Sequence, residues 1–144
     1  MKKIITLTVI LFTSLTAVFS QSPDAVRGVW LNENKDAKIE IYKAADKYAG
    51  KIVWTKDMYE ADGKTPKVDK RNGVEALRSR PILNLVILTG FKYDDGEWEH
   101  GEIYDPKGGK TYSSKMKLNG DKLEIRGYVG FSAFGRTTVW SRSQ

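Results

Sequence analysis

After position 27 apolar and polar residues alternate along most of the chain, and no stretch holds a helical period for three turns. "AKIEIYK" sets Ile39 and Ile41 on one side and Lys38, Glu40 and Tyr42 on the other. That is the period-two pattern of a strand with one buried face. "KYAGKIVWT" follows after a short break, and further along come "EWEHGEIY", "KTYSSKMKL", "KLEIRGYVG" and "GRTTVWSR". "LNLVILTGFKY" is the most continuously apolar run, as a more fully buried strand requires. "DDGE" at 94–97 and "NGDK" at 119–122 read as hairpin turns, because Gly and Asn tolerate positive φ at little cost. "DPKGGK" at 105–110 is a longer one.

With "RGVWL" counted first, the pattern predicts eight strands joined mostly by tight turns. Consecutive antiparallel strands leave two unpaired edges unless the sheet closes, so the expected fold is all-β, an eight-stranded antiparallel up-and-down barrel. A two-sheet sandwich is the competing arrangement of the same strands. The one long loop, at 56–83, is rich in Lys, Asp, Gly and Pro and contains "GVEALRSR", a short helix or single turn. In a barrel it would rim one mouth, and loops of that length carry function more often than tight turns do. Closure brings the first strand beside the last. Trp30 and Trp140 would then plug the closed end, with the Arg142 guanidinium laid across an aromatic face.

The start of the chain has a different character. "MKK" is positive, Ile4 to Phe19 is an apolar run, and a small-residue site precedes Gln21. These are the parts of a secretory signal peptide, residues 1–20, cleaved after Ser20 or, alternatively, Ala17. The run is short for a membrane span and no basic cluster follows it. The expected product is one exported domain, 21–144, periplasmic or secreted. The absence of cysteine excludes disulfides and a lipidated cysteine. The formal net charge is +6, and removing Lys2 and Lys3 leaves +4, too mild and dispersed for a nucleic-acid footprint.

Gly28, Val29 and Trp30 on the first strand, with Arg142 or Arg136 on the last, resemble the signature of the lipocalin and fatty-acid-binding superfamily. A longer set, "GVW", "LRSRPI", "ILTGF", "GEIYDPKGGKTY", "LEIRGYVG" and "FGRTTVWSR", resembles the bacterial exported family called domain of unknown function 2147. That resemblance covers nearly the whole chain beyond the leader. It implies a lipocalin-like barrel and an exported protein, and brings no established activity. Two positions depart from the family pattern. Asn72-Gly73 stands where Asn-Pro is usual, and Asn84 stands where Gly is usual, placing a side chain where the backbone turns.

Candidate chemistry is sparse. On strict alternation Trp98, His100, Glu102 and Tyr104 share one face. Pointing inward they would set an acid and an imidazole beside two aromatics; pointing outward they are cross-strand pairs on a solvated face. Arg78, Arg80, Arg126 and Arg136 are the anion-binding candidates, since an inward Arg must be paired or must meet an anion. Glu75, Glu102 or Glu124 could satisfy them instead. Lys110 beside Gly108 and Gly109 could complete an anion nest, though the two glycines equally serve the turn. His100 is the single histidine, so a His-rich metal site cannot be built, and no cofactor motif or nucleophile elbow occurs.

The expected protein is therefore a monomer that binds a small, largely apolar or amphipathic ligand, with an anionic head accommodated. Arg78, Arg80, Trp54, His100, Tyr104 and Arg126 are the ligand-binding candidates; no catalytic, metal or cofactor residue is assigned. The alternative is a barrel filled by its own side chains, acting as a protein or envelope-surface interaction module. An enzyme around His100 and Glu102 is the third reading.

Overall fold

The computed structural model describes residues 21–144; the expected leader, 1–20, lies outside the described residues. The strands are β1 Gly28–Leu31, β2 Ala37–Ala44, β3 Lys47–Thr55, β4 Val86–Asp94, β5 Glu97–Asp105, β6 Lys110–Asn119, β7 Lys122–Tyr128 and β8 Arg136–Arg142. Each pairs antiparallel with the next, and β8 returns to β1 through Trp30↔Arg142 and Leu31↔Ser141, so the sheet is a closed barrel and not a sandwich. Among the described residues the helical segments are three short 3-10 turns, at Pro23–Val26, Glu75–Leu77 and Ser132–Phe134. Among the described residues no helix is long and apolar enough to cross a membrane.

Inward residues follow the alternation within each regular stretch and change phase at the bulges in β3, β4 and β5. Ile39 and Ile41 of β2, Leu88 and Phe91 of β4, Trp98 of β5, Met116 of β6, and Leu123 and Ile125 of β7 form one buried cluster with Trp30 and Trp140. Phe91 lies directly against Gly101, where a Cβ would collide with its ring. Such close contact leaves the middle of the barrel occupied by its own side chains.

The end that holds the tips of β2–β3, β4–β5 and β6–β7 is closed by residues 21–27. Val26 is fully buried there, and Trp30 and Trp98 donate their indole N–H groups to the carbonyls of Val26 (2.9 Å) and Pro23 (3.0 Å). Tyr48 donates to Asp24 at 2.5 Å. Arg142 lies over the Trp30 ring, 4.1 Å from its centroid, and its two terminal nitrogens donate to the carbonyls of Arg27 (2.6 Å) and Ala25 (2.5 Å). Gly28, at φ 128°, makes this possible: a Cβ there would sit 2.6 Å from the guanidinium. Gly-x-Trp on the first strand and Arg on the last thus form one device, a cation laid over a buried indole that staples the plug in place.

The long connection runs from 56 to 85, slightly past the expected 56–83, because Asn84 takes φ 66° and delays regular pairing until Val86. Asn84 and Leu85 still bond to Ile52, as donor (2.7 Å) and acceptor (3.0 Å) respectively. The "GVEALRSR" segment supplies one 3-10 turn, Glu75–Leu77. The connection is ordered internally by isolated bridges, Tyr59↔Pro66 and Val68↔Pro81, and folds back over the outer face of β4, β5 and β6.

Candidate functional site

The outward residues of three neighbouring strands build the site. Leu88 and Ile103 pair with their side chains inside, so Thr89, Glu102, Tyr104 and Thr111, one step out of phase, face outward. Over this face pass Asn72 to Arg80 of the long connection. Between them lies an open groove of about 410 Å³. Val86 and Ile87 give it an apolar floor, Val74 and Leu77 an apolar wall, and Arg80, Glu102 and Tyr104 its polar functions.

A buried polar cluster holds the wall to the floor. Asp69 is fully buried and accepts from Tyr104 Oη at 2.6 Å, Asn72 Nδ2 at 2.9 Å and Arg80 Nη2 at 3.0 Å. Asn72 Nδ2 also reaches Tyr104 Oη at 3.2 Å. A carboxylate inside a protein is tolerable only when paired and hydrogen-bonded, and here three donors converge on it. Burial, then donation to Asp69, pushes the Tyr104 hydroxyl up to about 12. Gly109 completes the contact: at φ 70° it lets the β5–β6 turn touch the Arg71 carbonyl, where any Cβ would collide.

The sequence candidates are scattered over this frame. Arg80 and Tyr104 meet in the groove, with Glu102 beside them. Arg80 is paired, but to Asp69 and not to Glu75, Glu102 or Glu124; its Nε is buried without a partner. Arg78 is exposed and donates from Nε to the Asn72 carbonyl at 2.8 Å. Arg126 is spent on structure, bonding Ser132 O (2.5 Å), Ala133 O (3.2 Å) and Thr137 Oγ1 (2.9 Å). Trp54 faces outward opposite Lys38, whose ammonium stands 5.8 Å from its ring.

The face proposed for Trp98, His100, Glu102 and Tyr104 divides in two. The β5–β6 register shifts between Trp98 and Gly101, and His100 has φ 60°. A bulge of one residue reverses the alternation beyond it. Trp98 therefore points in, while Glu102 and Tyr104 point out and His100 is exposed at the bulge itself. Asp69 and Asn72, the centre of the cluster, were not among the candidates; as a lone acid and a lone amide in a polar loop they carry no periodicity. Among the described residues no three His, Cys, Asp or Glu side chains are grouped to hold a metal ion.

A closed eight-stranded antiparallel barrel, plugged at one end by a Gly-x-Trp and arginine staple, is a lipocalin-like architecture. Residues 28–142 match the family described as "Uncharacterized protein conserved in bacteria (DUF2147)", and the chain belongs to that family. Among solved structures it is similar to protein HP1028 from the human pathogen Helicobacter pylori, which belongs to the lipocalin family. The two share 22% sequence identity with a TM-score of 0.70, over 82% of each chain, a likeness of fold. No curated protein matches the sequence.

Proposed function

We propose that this protein is an exported, monomeric, single-domain barrel that binds a small amphipathic molecule in the outer groove, between the long connection and the β4–β5–β6 face. The observation that carries this reading is the groove itself. Its volume of about 410 Å³ is enough for a small molecule, and Val74, Leu77, Val86 and Ile87 offer apolar contact beside the polar groups of Arg80, Glu102 and Tyr104. The lipocalin-like barrel supports binding of a small ligand in general. The seat differs from the expected one because aromatic side chains occupy the barrel core.

The charges in the groove bear on the ligand's polar end. Arg80 is already balanced by Asp69, and Glu102 adds an exposed acid with no cationic partner within the groove. A bare carboxylate would meet a neutralised guanidinium and a like charge. The better fit is an uncharged hydrogen-bonding group, or a cationic group beside Glu102, with its apolar body on Val86, Ile87 and Leu77.

The test is native mass spectrometry of protein taken from its own compartment, compared with a Val86→Trp variant. Val86 is part-exposed and lines the groove, so an indole there fills the seat without touching the core. Cargo on the parent and none on the variant is the expected result. A bare mass in both, persisting after incubation with a lipid extract of the compartment, refutes small-molecule binding; equal cargo on both moves the seat out of the groove.

A further inference from the structure

The β7–β8 connection, 129–135, carries the three most exposed large apolar side chains of the described residues: Val129 at 74%, Phe131 at 77% and Phe134 at 81%. Their exposure is built in. Residues Ser132–Phe134 form a 3-10 turn, and Phe134 N–H donates to Phe131 O at 3.1 Å. The Arg126 guanidinium reaches into the turn and holds the carbonyls of Ser132 and Ala133. Gly135 packs so closely that a Cβ would lie 2.5 Å from Gly127 O and 2.9 Å from Tyr128 Cβ. The turn is thus fixed to β7 by its backbone, with both phenyl rings turned to solvent.

The surroundings of this tip are basic. From Ile125 to Gln144 the sequence has no Asp or Glu and three arginines. Arg136 flanks the tip, and Lys115 stands on β6 directly opposite Arg126, whose own guanidinium is taken up by the turn and Thr137. Like charges across a strand pair are unfavourable unless something compensates them. Two acids face the group: Glu33, 3.8 Å from Arg136, and Glu124, which shares the outward face of β7 with Arg126 and stands opposite Lys117.

We infer that the 129–135 tip is a membrane-contact device, seating Val129, Phe131 and Phe134 at the interface of a bilayer that bears anionic headgroups. Three side chains are too few for a stable protein interface, which needs about 800 Å² on each partner. They are enough for a shallow, reversible anchor, in which aromatic rings enter the headgroup boundary and cations beside them meet lipid phosphates. The inference is independent of the groove, which is built from other strands.

Vesicle flotation of the protein as the cell processes it tests this, using phosphatidylglycerol–phosphatidylcholine vesicles and pure phosphatidylcholine vesicles. The parent should float with the anionic vesicles, less with the neutral ones, and less as salt rises. A Phe131→Ser, Phe134→Ser double variant should partition about tenfold or more weakly, with an unchanged near-ultraviolet circular dichroism spectrum because neither ring is packed. Arg136→Gln should reduce the salt-sensitive part alone. Absence of flotation by the parent, or equal flotation by the double variant, overturns the inference. Concentration-dependent dimers abolished by the double variant would also overturn it, assigning the tip to a second copy.

Discussion

Removing Asp69 tests whether the long connection is docked by its buried polar cluster. Asp69→Ala deletes the acceptor of three hydrogen bonds, from Tyr104, Asn72 and Arg80. Breaking a buried ion pair typically costs about 3–5 kcal/mol. The Arg80 side chain is 41% exposed and can turn to water, which places the expected loss near the lower end, about 3 kcal/mol. For a domain of this size that lowers the melting temperature by roughly 12 °C. Tyr104→Phe removes one bond to a charged acceptor, about 1.5 kcal/mol. The two losses share that bond, so the double variant should fall short of their sum by about the same 1.5 kcal/mol. Urea unfolding of the four proteins measures the cycle. Hydrogen exchange locates the effect, since the amides of Asp69 and Ile82, bonded to Arg80 O (2.8 Å) and Lys67 O (3.0 Å), should lose protection before the barrel does. The hydroxyl of Tyr104 is raised in the folded state, so its contribution is complete below pH 10 and disappears as pH climbs through about 12. The parent should therefore lose more stability than Tyr104→Phe over that interval, Tyr48 declining equally in both. A loss below about 1 kcal/mol for Asp69→Ala, with protection unchanged from 68 to 85, would refute the docking role.

Three further substitutions probe the closed end and the turn contact. Arg142→Lys keeps the charge but not the planar fork that spans the Arg27 and Ala25 carbonyls, so it should cost about 1–2 kcal/mol and speed exchange of the Trp30 indole N–H; unchanged exchange would contradict the staple. Gly109→Ala and Gly63→Ala share a left-handed backbone, yet only the former collides with another segment, at Arg71 O. Gly63→Ala should cost about 1 kcal/mol from backbone strain, and Gly109→Ala at least about 1 kcal/mol more in urea unfolding. Equal losses would show that the turn does not need that approach.

The strands were legible because each has one buried face, and a period of two writes that face directly into residues such as Ile39, Ile41, Leu123 and Ile125. The staple was legible for a topological reason: closure must bring Trp30 and Arg142 together. The site was harder to see. The bulge before Gly101 reverses phase in the middle of β5, and nothing in "EWEHGEIY" announces it, so His100, Glu102 and Tyr104 separate from Trp98. Another irregularity, in the β2–β3 register, turns Trp54 out to Lys38. The partner of Arg80 was out of reach for a different reason. Asp69 lies in a segment without periodicity, and its burial depends on a sheet face contributed by residues more than thirty positions later, where Tyr104 stands. Gly109 was readable as a turn glycine, while its second duty, admitting the Arg71 carbonyl, requires the folded connection.

A nuclear magnetic resonance titration shows most directly where a small molecule sits. Amide shifts of the labelled protein would be followed while the small-molecule extract of its compartment is added. The outer groove predicts that changes concentrate on Gly73, Val74, Val86, Gly109 and Thr111, which line it from three separate stretches of chain. Changes centred instead on Ser114, Gly127 and Ile103, which face the barrel interior, would contradict the groove as the seat. No change anywhere would contradict small-molecule binding itself.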